Sequence, residues 1–347
     1  MKTYLVRRAG ARPTDVAGRI LTRDVRDASG ARAFAKGEVV HADRAPELLA
    51  LDWAELHLIE AEPGEVHEQE AGRRIAEAAA GEGTVVGDAA GGHWPVTSTR
   101  RGLLRVNVRR LARVNGVEGA CVYTLWDGQI VEPGEVVARA KITPFVIDGR
   151  RIDEVERLTR GEDHGVAHVR PFLPTVVGAV VQETLGERAM TRFREALAGK
   201  IAWFGSRLLE PEFAPPAGDD VAAAMERVVA TGARVLVMAG AKALDPLDPA
   251  FVALDRLGVS LERFGAPAHP GSLFWLARLG DVPVLGMPSC GLFSQATVFD
   301  LVLPRVLAGE RVGRAEIGAL GHGGLITRDL AFRFPRYRAE GERGELA

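Results

Sequence analysis

From about residue 174 onward the sequence repeats one unit: a short apolar run, a loop of small and acidic residues, then an amphipathic segment ending at glycine. "VVGAVV" (176–181) has strand length, and Thr184-x-x-Glu187 has the form of a capping box opening a helix that stops at Gly199. "IAWFG" (201–205) reads as a second strand. A helix over 221–231 follows, with Val221, Met225, Val228 and Val229 along one face. "ARVLVMAG" (233–240) is continuously apolar, as a strand covered on both faces should be. Asp248-Pro249 then places a carboxylate at an N-cap and proline at the first helical position, and the helix runs to Leu257. "VPVLGMPSCG" supplies the last strand, followed by a helix with Leu292, Ala296, Phe299, Leu303 and Val306 on one face; Pro304 should kink it. Such alternation predicts an α/β, three-layer domain with a mainly parallel sheet. Right-handed crossovers put the loops after each strand on one edge, so loops 182–184, 239–248 and 287–293 should converge there.

The first half has a different texture. "FAKGEVVH" (34–41), "AEPGEVHE" (61–68) and "VEPGEVVA" (131–138) share a local design. In two of them Pro63-Gly64 and Pro133-Gly134 suit type II turns, where proline fixes one φ and glycine supplies the positive φ that follows. "LLRVNV" and "EVVARAKITPFVI" read as strands, and 68–80 as a short helix. The expected division is a β-rich N-terminal region over 1–168, in one or two small lobes, an α/β domain over 169–334, and a tail over 335–347. The chain's 347 residues, 47% hydrophobic, suffice for that many cores.

Bulk charge narrows the function classes. With 44 basic and 46 acidic residues the net charge is −2, which argues against a nucleic-acid-coating protein. No apolar run approaches the roughly 20 residues of a membrane helix, and the N-terminus carries no apolar signal core, so the expectation is a cytoplasmic protein. Cys121 and Cys290 are too far apart for a chelating spacing.

Four chemistries deserve weighing. Ser289 lies between a strand and a helix, and the order Ser289, Asp300, His322 is that of α/β-hydrolases. The nucleophile elbow, however, is G-x-S-x-G, and "GMPSCG" has an extra residue before the serine. His164 and His168 are four apart, but Gly165 and Pro171 oppose a helix, and nothing completes a zinc site. Neither a P-loop nor a G-x-G-x-x-G sequence is present. "MAGAKALDPLDP" (238–249) is richer: Gly240 permits close backbone approach, Lys242 offers positive charge, and Asp245 and Asp248 offer carboxylates. Either the two aspartates cap the next helix, or they flank an anion site and hold a divalent metal bridging a phosphate.

The stretch over about 170–324 resembles the molybdopterin-binding domain of the molybdenum-cofactor biosynthesis family, which includes molybdopterin adenylyltransferase and molybdopterin molybdenumtransferase. "VVGAVVQET", "VLVMAGAKALDPLD" and "FGAPAHPGSLFWLARLGDVPVLGMPSCG" carry the resemblance. "GRILTRDVRDASGARAFAKGEVV" and "GEVVARAKITPF" look, more distantly, like the β-rich region of molybdenumtransferase-like members. The chain also departs from the family. Gly-Gly-x-Ser-x-Gly-Asp has become Ala239-Gly240-Ala241-Lys242-Ala243-Leu244-Asp245, and Pro-Gly-Lys-Pro has become Pro270-Gly271-Ser272-Leu273. Leu-Pro-Gly-Asn-Pro has become Met287-Pro288-Ser289-Cys290-Gly291, and Thr-Gly-Asp/Asn-Glu has become Gln182-Glu183-Thr184.

The resemblance implies molybdopterin, or its adenylylated form, as a small-molecule pterin ligand. Thr184, Gly240, Ala241, Lys242, Pro270, Gly271, Ser272, Pro288, Ser289, Cys290 and Gly291 would line its pocket. Asp245, with Glu183 and Asp248 behind it, would be catalytic, and Asp245 and Asp248 would hold Mg²⁺. The implied reaction is insertion of molybdate with release of AMP. The altered signature residues also suit a non-catalytic carrier, storage or regulatory binder; a serine hydrolase built on Ser289 is the remote alternative. Cys290 is either a thiolate facing the ligand or a packed small side chain. Relatives are dimers or trimers, so a homo-oligomer is expected, with neither nucleic acid nor membrane as partner.

Overall fold

The computed structural model describes residues 1–161, 165–182, 186–287, 296–335 and 337. They fall into two compact units. The first comprises Met1–Arg100, Leu104–Asp127 and Val131–Val169; the second takes in Arg101–Leu103 and Gly128–Ile130 and continues from Arg170.

The first unit is β-rich and built from short antiparallel pieces. Lys2–Arg7, Glu55–Glu60 and Ile20–Leu21 form one sheet. Ala120–Thr124, Val136–Ile142, Trp94–Ser98 and Thr84–Val86 form another. Gly64 and Gly134 have φ of +88° and +85°, the backbone that their Pro-Gly turns require. Helix Glu68–Ala79 places Ala71, Ile75 and Ala76 against Val96, Val137 and Ala140. A second cluster gathers Val16, Leu21, Phe34, Leu48 and Leu58. Besides Ala45–Ala50, two helices go beyond the sequence reading. Val108–Asn115 is capped by Asn107 and Gly149–Thr159 by Asp148. The first of them, "VRRLARVN", buries only Val114, so its apolar periodicity is nearly silent.

The second unit is organised by one mixed seven-stranded sheet. Arg207–Leu208 and Glu212–Phe213 both pair with Val176–Val181; Val235–Ala239, Val282–Met287, Trp275–Leu279 and Leu261–Phe264 follow in that order. Pairings up to Val282–Met287 are parallel, and the last two are antiparallel. Alternate side chains feed two cores. Val177, Val181, Val237 and Leu285 pack against helices Glu187–Trp203 and Val298–Leu307. Val180, Leu236, Met238 and Val284 pack against Gly218–Ala230 and Pro249–Arg256. Each such aliphatic side chain contributes roughly 1.5–3 kcal/mol when fully buried, so both faces need their helices.

Four readings change. Helix Glu187–Trp203 opens from Gly186 with no side-chain cap, so Glu187 is its first residue and not the third position of a capping box. The last helix begins at Val298 after Thr297, so Ala296 precedes it and does not share its face. "IAWFG" does not begin a strand: residues 201–203 are the last turn of helix Glu187–Trp203. Phe193, Leu197 and Ile201, four residues apart, all enter one core, and that helical spacing outweighs the break expected at Gly199. The sheet is mixed because Trp275–Leu279 turns back on Val282–Met287 through the two residues Gly280-Asp281, a hairpin connection rather than a crossover. Trp275 lies opposite Gly286, where an added Cβ would come within 2.0 Å of the indole.

Candidate functional site

Strand pairing decides where the loops go. Val181 is level with Ala239, and Ala239 with Met287, so these three strands end at one edge of the sheet, where residues 182 and 240 leave it. Trp275 is opposite Gly286 in the antiparallel pair, which brings the preceding turn, 269–274, to the same edge. Gly240 and Gly271 therefore lie at a common rim. Pro288, Ser289, Cys290 and Gly291, like Glu183 and Thr184, lie outside the described residues.

Loop 240–248 is tied down at its end. Asp248 is 2% exposed and caps helix Pro249–Arg256 by accepting from the Ala250 amide at 3.0 Å. Its Oδ1 also accepts from Gln182 Nε2 at 2.7 Å, and its Oδ2 from the Lys242 amide at 2.7 Å. A buried carboxylate is tolerated when hydrogen bonds replace water, and here three N–H groups do so. The result is a brace joining the ends of two adjacent strands. Ala241 and Ala243 are buried beneath the loop, while Lys242, Leu244, Asp245, Pro246 and Leu247 are exposed. Asp245 accepts from the Leu247 amide at 2.9 Å and otherwise faces out.

The 269–274 turn is held by backbone. Pro270 C=O accepts from the Val298 amide at 3.0 Å, and Gly271 C=O from the Phe274 amide at 2.9 Å. Gly271 has φ +103°, and a Cβ there would stand 3.1 Å from the Val298 nitrogen; both facts demand glycine. Ser272 is exposed beside it.

Helix Val298–Leu307 begins where this turn touches it. Thr297 is its N-cap, accepting from the Phe299 amide at 3.2 Å, and Asp300 Oδ2 accepts from the Thr297 amide at 2.9 Å, closing a capping box. Asp300 Oδ1 meets Lys200 Nζ at 2.6 Å in a buried ion pair. The Lys200 ammonium also lies 5.2 Å from the centre of the Tyr337 ring, which stacks edge-on against Trp203 at 6.1 Å. Burial, and then the Asp300 charge, push the Tyr337 hydroxyl above the ordinary phenol range.

Among the predicted residues, then, Gly240, Ala241, Lys242, Asp245, Asp248, Pro270, Gly271 and Ser272 share one sheet edge. Their exposed polar groups are Lys242, Asp245 and Ser272. The sequence reading did not single out the side chain of Gln182, nor Lys200. It weighed Asp300 only as a triad member, although Thr297-x-x-Asp300 already had capping-box form. Among the described residues no group of three His, Cys, Asp or Glu side chains is placed to hold a metal ion. No helix among them is long and apolar enough to cross a membrane.

No protein-family model matches this chain, and no curated protein does. Among solved structures, the crystal structure of a molybdopterin biosynthesis MoeA protein from Pyrococcus horikosii aligns with 89% of this chain and 75% of its own. Identity is 12% and the TM-score 0.31.

Proposed function

We propose that the chain binds molybdopterin, or adenylylated molybdopterin, in molybdenum-cofactor biosynthesis. The observation that supports this reading is that loop 240–248 and turn 269–274, two of the segments carrying the family-like sequence, lie at one sheet edge. Such a rim, with strand ends giving way to helix N-termini, suits an anionic ligand tail. Lys242 would meet the phosphate charge, and Gly240, Gly271 and Ser272 would allow close approach and a hydroxyl contact. Asp245 is the carboxylate open to a ligand. Asp248, with both oxygens already engaged by N–H donors, would act by positioning the loop.

The residues fit the organic ligand better than they fit a resident metal. Mg²⁺ would be held by Asp245 and by the ligand's own phosphates and waters, the usual pattern for that ion, and would supply charge neutralisation. As an enzyme the chain would insert molybdate with loss of AMP, Asp245 standing beside the phosphate that departs. One observation favours a second reading, a non-catalytic carrier: Asp248 is spent on the brace, leaving a single exposed carboxylate at the described rim.

Purification from a molybdenum-cofactor-producing host, oxidation of the bound pterin to its fluorescent form and metal analysis of the same sample test the proposal. A pterin signal near one per chain is expected; its absence, together with failure to bind added pterin, would refute it. Asp245→Ala separates the two readings, because a carrier retains its function in that variant and a molybdenumtransferase does not.

A further inference from the structure

We propose that Gln182 is a specificity-determining residue whose side-chain oxygen accepts a hydrogen bond from a ring N–H of the ligand, an inference that rests on the pterin-binding function proposed above. The carboxamide's orientation is settled by its neighbour. Nε2 lies 2.7 Å from Asp248 Oδ1, so exchanging the two ends would set Oε1 against a carboxylate oxygen, acceptor against acceptor. Nε2 must therefore face Asp248, and Oε1 must be the remaining end.

That oxygen is buried and has no hydrogen-bond partner, in a side chain that is only 4% exposed. The described residues around it offer no substitute. Both Asp248 oxygens accept, the Lys242 and Ala250 amides already donate to Asp248, and the Gln182 amide donates to Ala239 C=O at 3.1 Å. Folded chains rarely leave a buried acceptor unpaired, and where one persists it needs a reason. Gln182 stands where the first strand reaches the rim.

The acceptor also says which part of a ligand it suits. A phosphate or dithiolene sulfur brings only electron pairs and would be repelled. A pterin ring brings N–H groups. Gln182 thus reads the heterocycle, while Lys242 and Ser272 serve the anionic tail. It stands where the family's Thr-Gly-Asp/Asn-Glu sequence is replaced, so the reading is particular to this chain.

The test titrates the full-length protein with two probes, pterin-6-carboxylate by fluorescence and inorganic pyrophosphate by calorimetry. Gln182→Met should weaken the pterin at least about tenfold, since an unmet ring N–H is penalised, and leave pyrophosphate nearly unchanged. Because methionine also loses the bond to Asp248, Gln182→Glu is the second variant. Its introduced carboxyl should share a proton with Asp248 on acidification, which restores both the bond and a neutral acceptor. Pterin affinity, relative to wild type at the same pH, should therefore recover between about pH 8 and about pH 5. Equal pterin affinity in wild type and Gln182→Met, or no acid recovery in Gln182→Glu, overturns the assignment and leaves the function standing. Wild-type protein that binds no pterin sinks both.

Discussion

Both units pair arginines with carboxylates at the surface, but among the described residues only the second buries carboxylates. In the first, carboxylates pair with arginines at the surface: Arg73 with Glu70 and Glu77, Arg74 with Asp153 and Glu156, Arg44 with Glu38 and Glu47. Its buried polar side chains, Ser98 and Thr159, are uncharged and bond to nearby carbonyls. In the second unit Asp248 and Asp300 are 2% exposed, and each sits at the start of a helix on the rim. Surface pairs contribute little, whereas a buried carboxylate is costly unless fully engaged. The contrast teaches where geometry is being enforced: expensive interactions are kept at the edge where two loops must hold still.

Replacing Lys200 tests that contrast most severely. Lys200→Met strands Asp300 without its cation and should destabilise the chain by about 3–5 kcal/mol in denaturant unfolding. A loss near zero would remove the contrast. Asp248→Ala comes next, at about 2–3 kcal/mol, because it removes a cap and leaves the Gln182 and Lys242 donors unmet. Unchanged hydrogen exchange at the Lys242 amide would show the brace to be idle. Asp245→Asn, on the exposed tip, should move stability by less than about 0.5 kcal/mol and lower Mg²⁺-dependent pyrophosphate affinity. A large stability loss there would erase the distinction between brace and tip.

The smallest effect belongs to the first unit. Hydrogen bonds from Arg150 lower the Asp148 pKa from 3.8 to about 2. With the folded value below the unfolded one, its contribution is present above pH 3.8 and fades as pH falls toward 2. The group lies at the surface, where water screens the pair, so Asp148→Asn should barely alter thermal melts across that window. A marked flattening of the acid limb would show that this surface pair matters more than its exposure allows.

Legibility followed locality. Val235–Ala239, the Asp248-Pro249 helix start and the type II turns depend on neighbours in sequence, and all stand where the residues pointed. The hairpin at Gly280-Asp281 was equally local but was passed over for the expected alternation. The Lys200–Asp300 pair spans 100 positions between two helices, and no periodicity announces it. Gln182 became informative only once its partner, 66 residues away, was known.

The tie at Asp248 has a consequence for how this chain can change. Fixed ends and an outward tip, with Leu244 and Leu247 at 76% and 78% exposure, make 244–247 a replaceable cassette. Selection on what the loop recognises falls on residues to which the sheet is indifferent, and a randomised library confined to that tip would vary recognition on a constant scaffold.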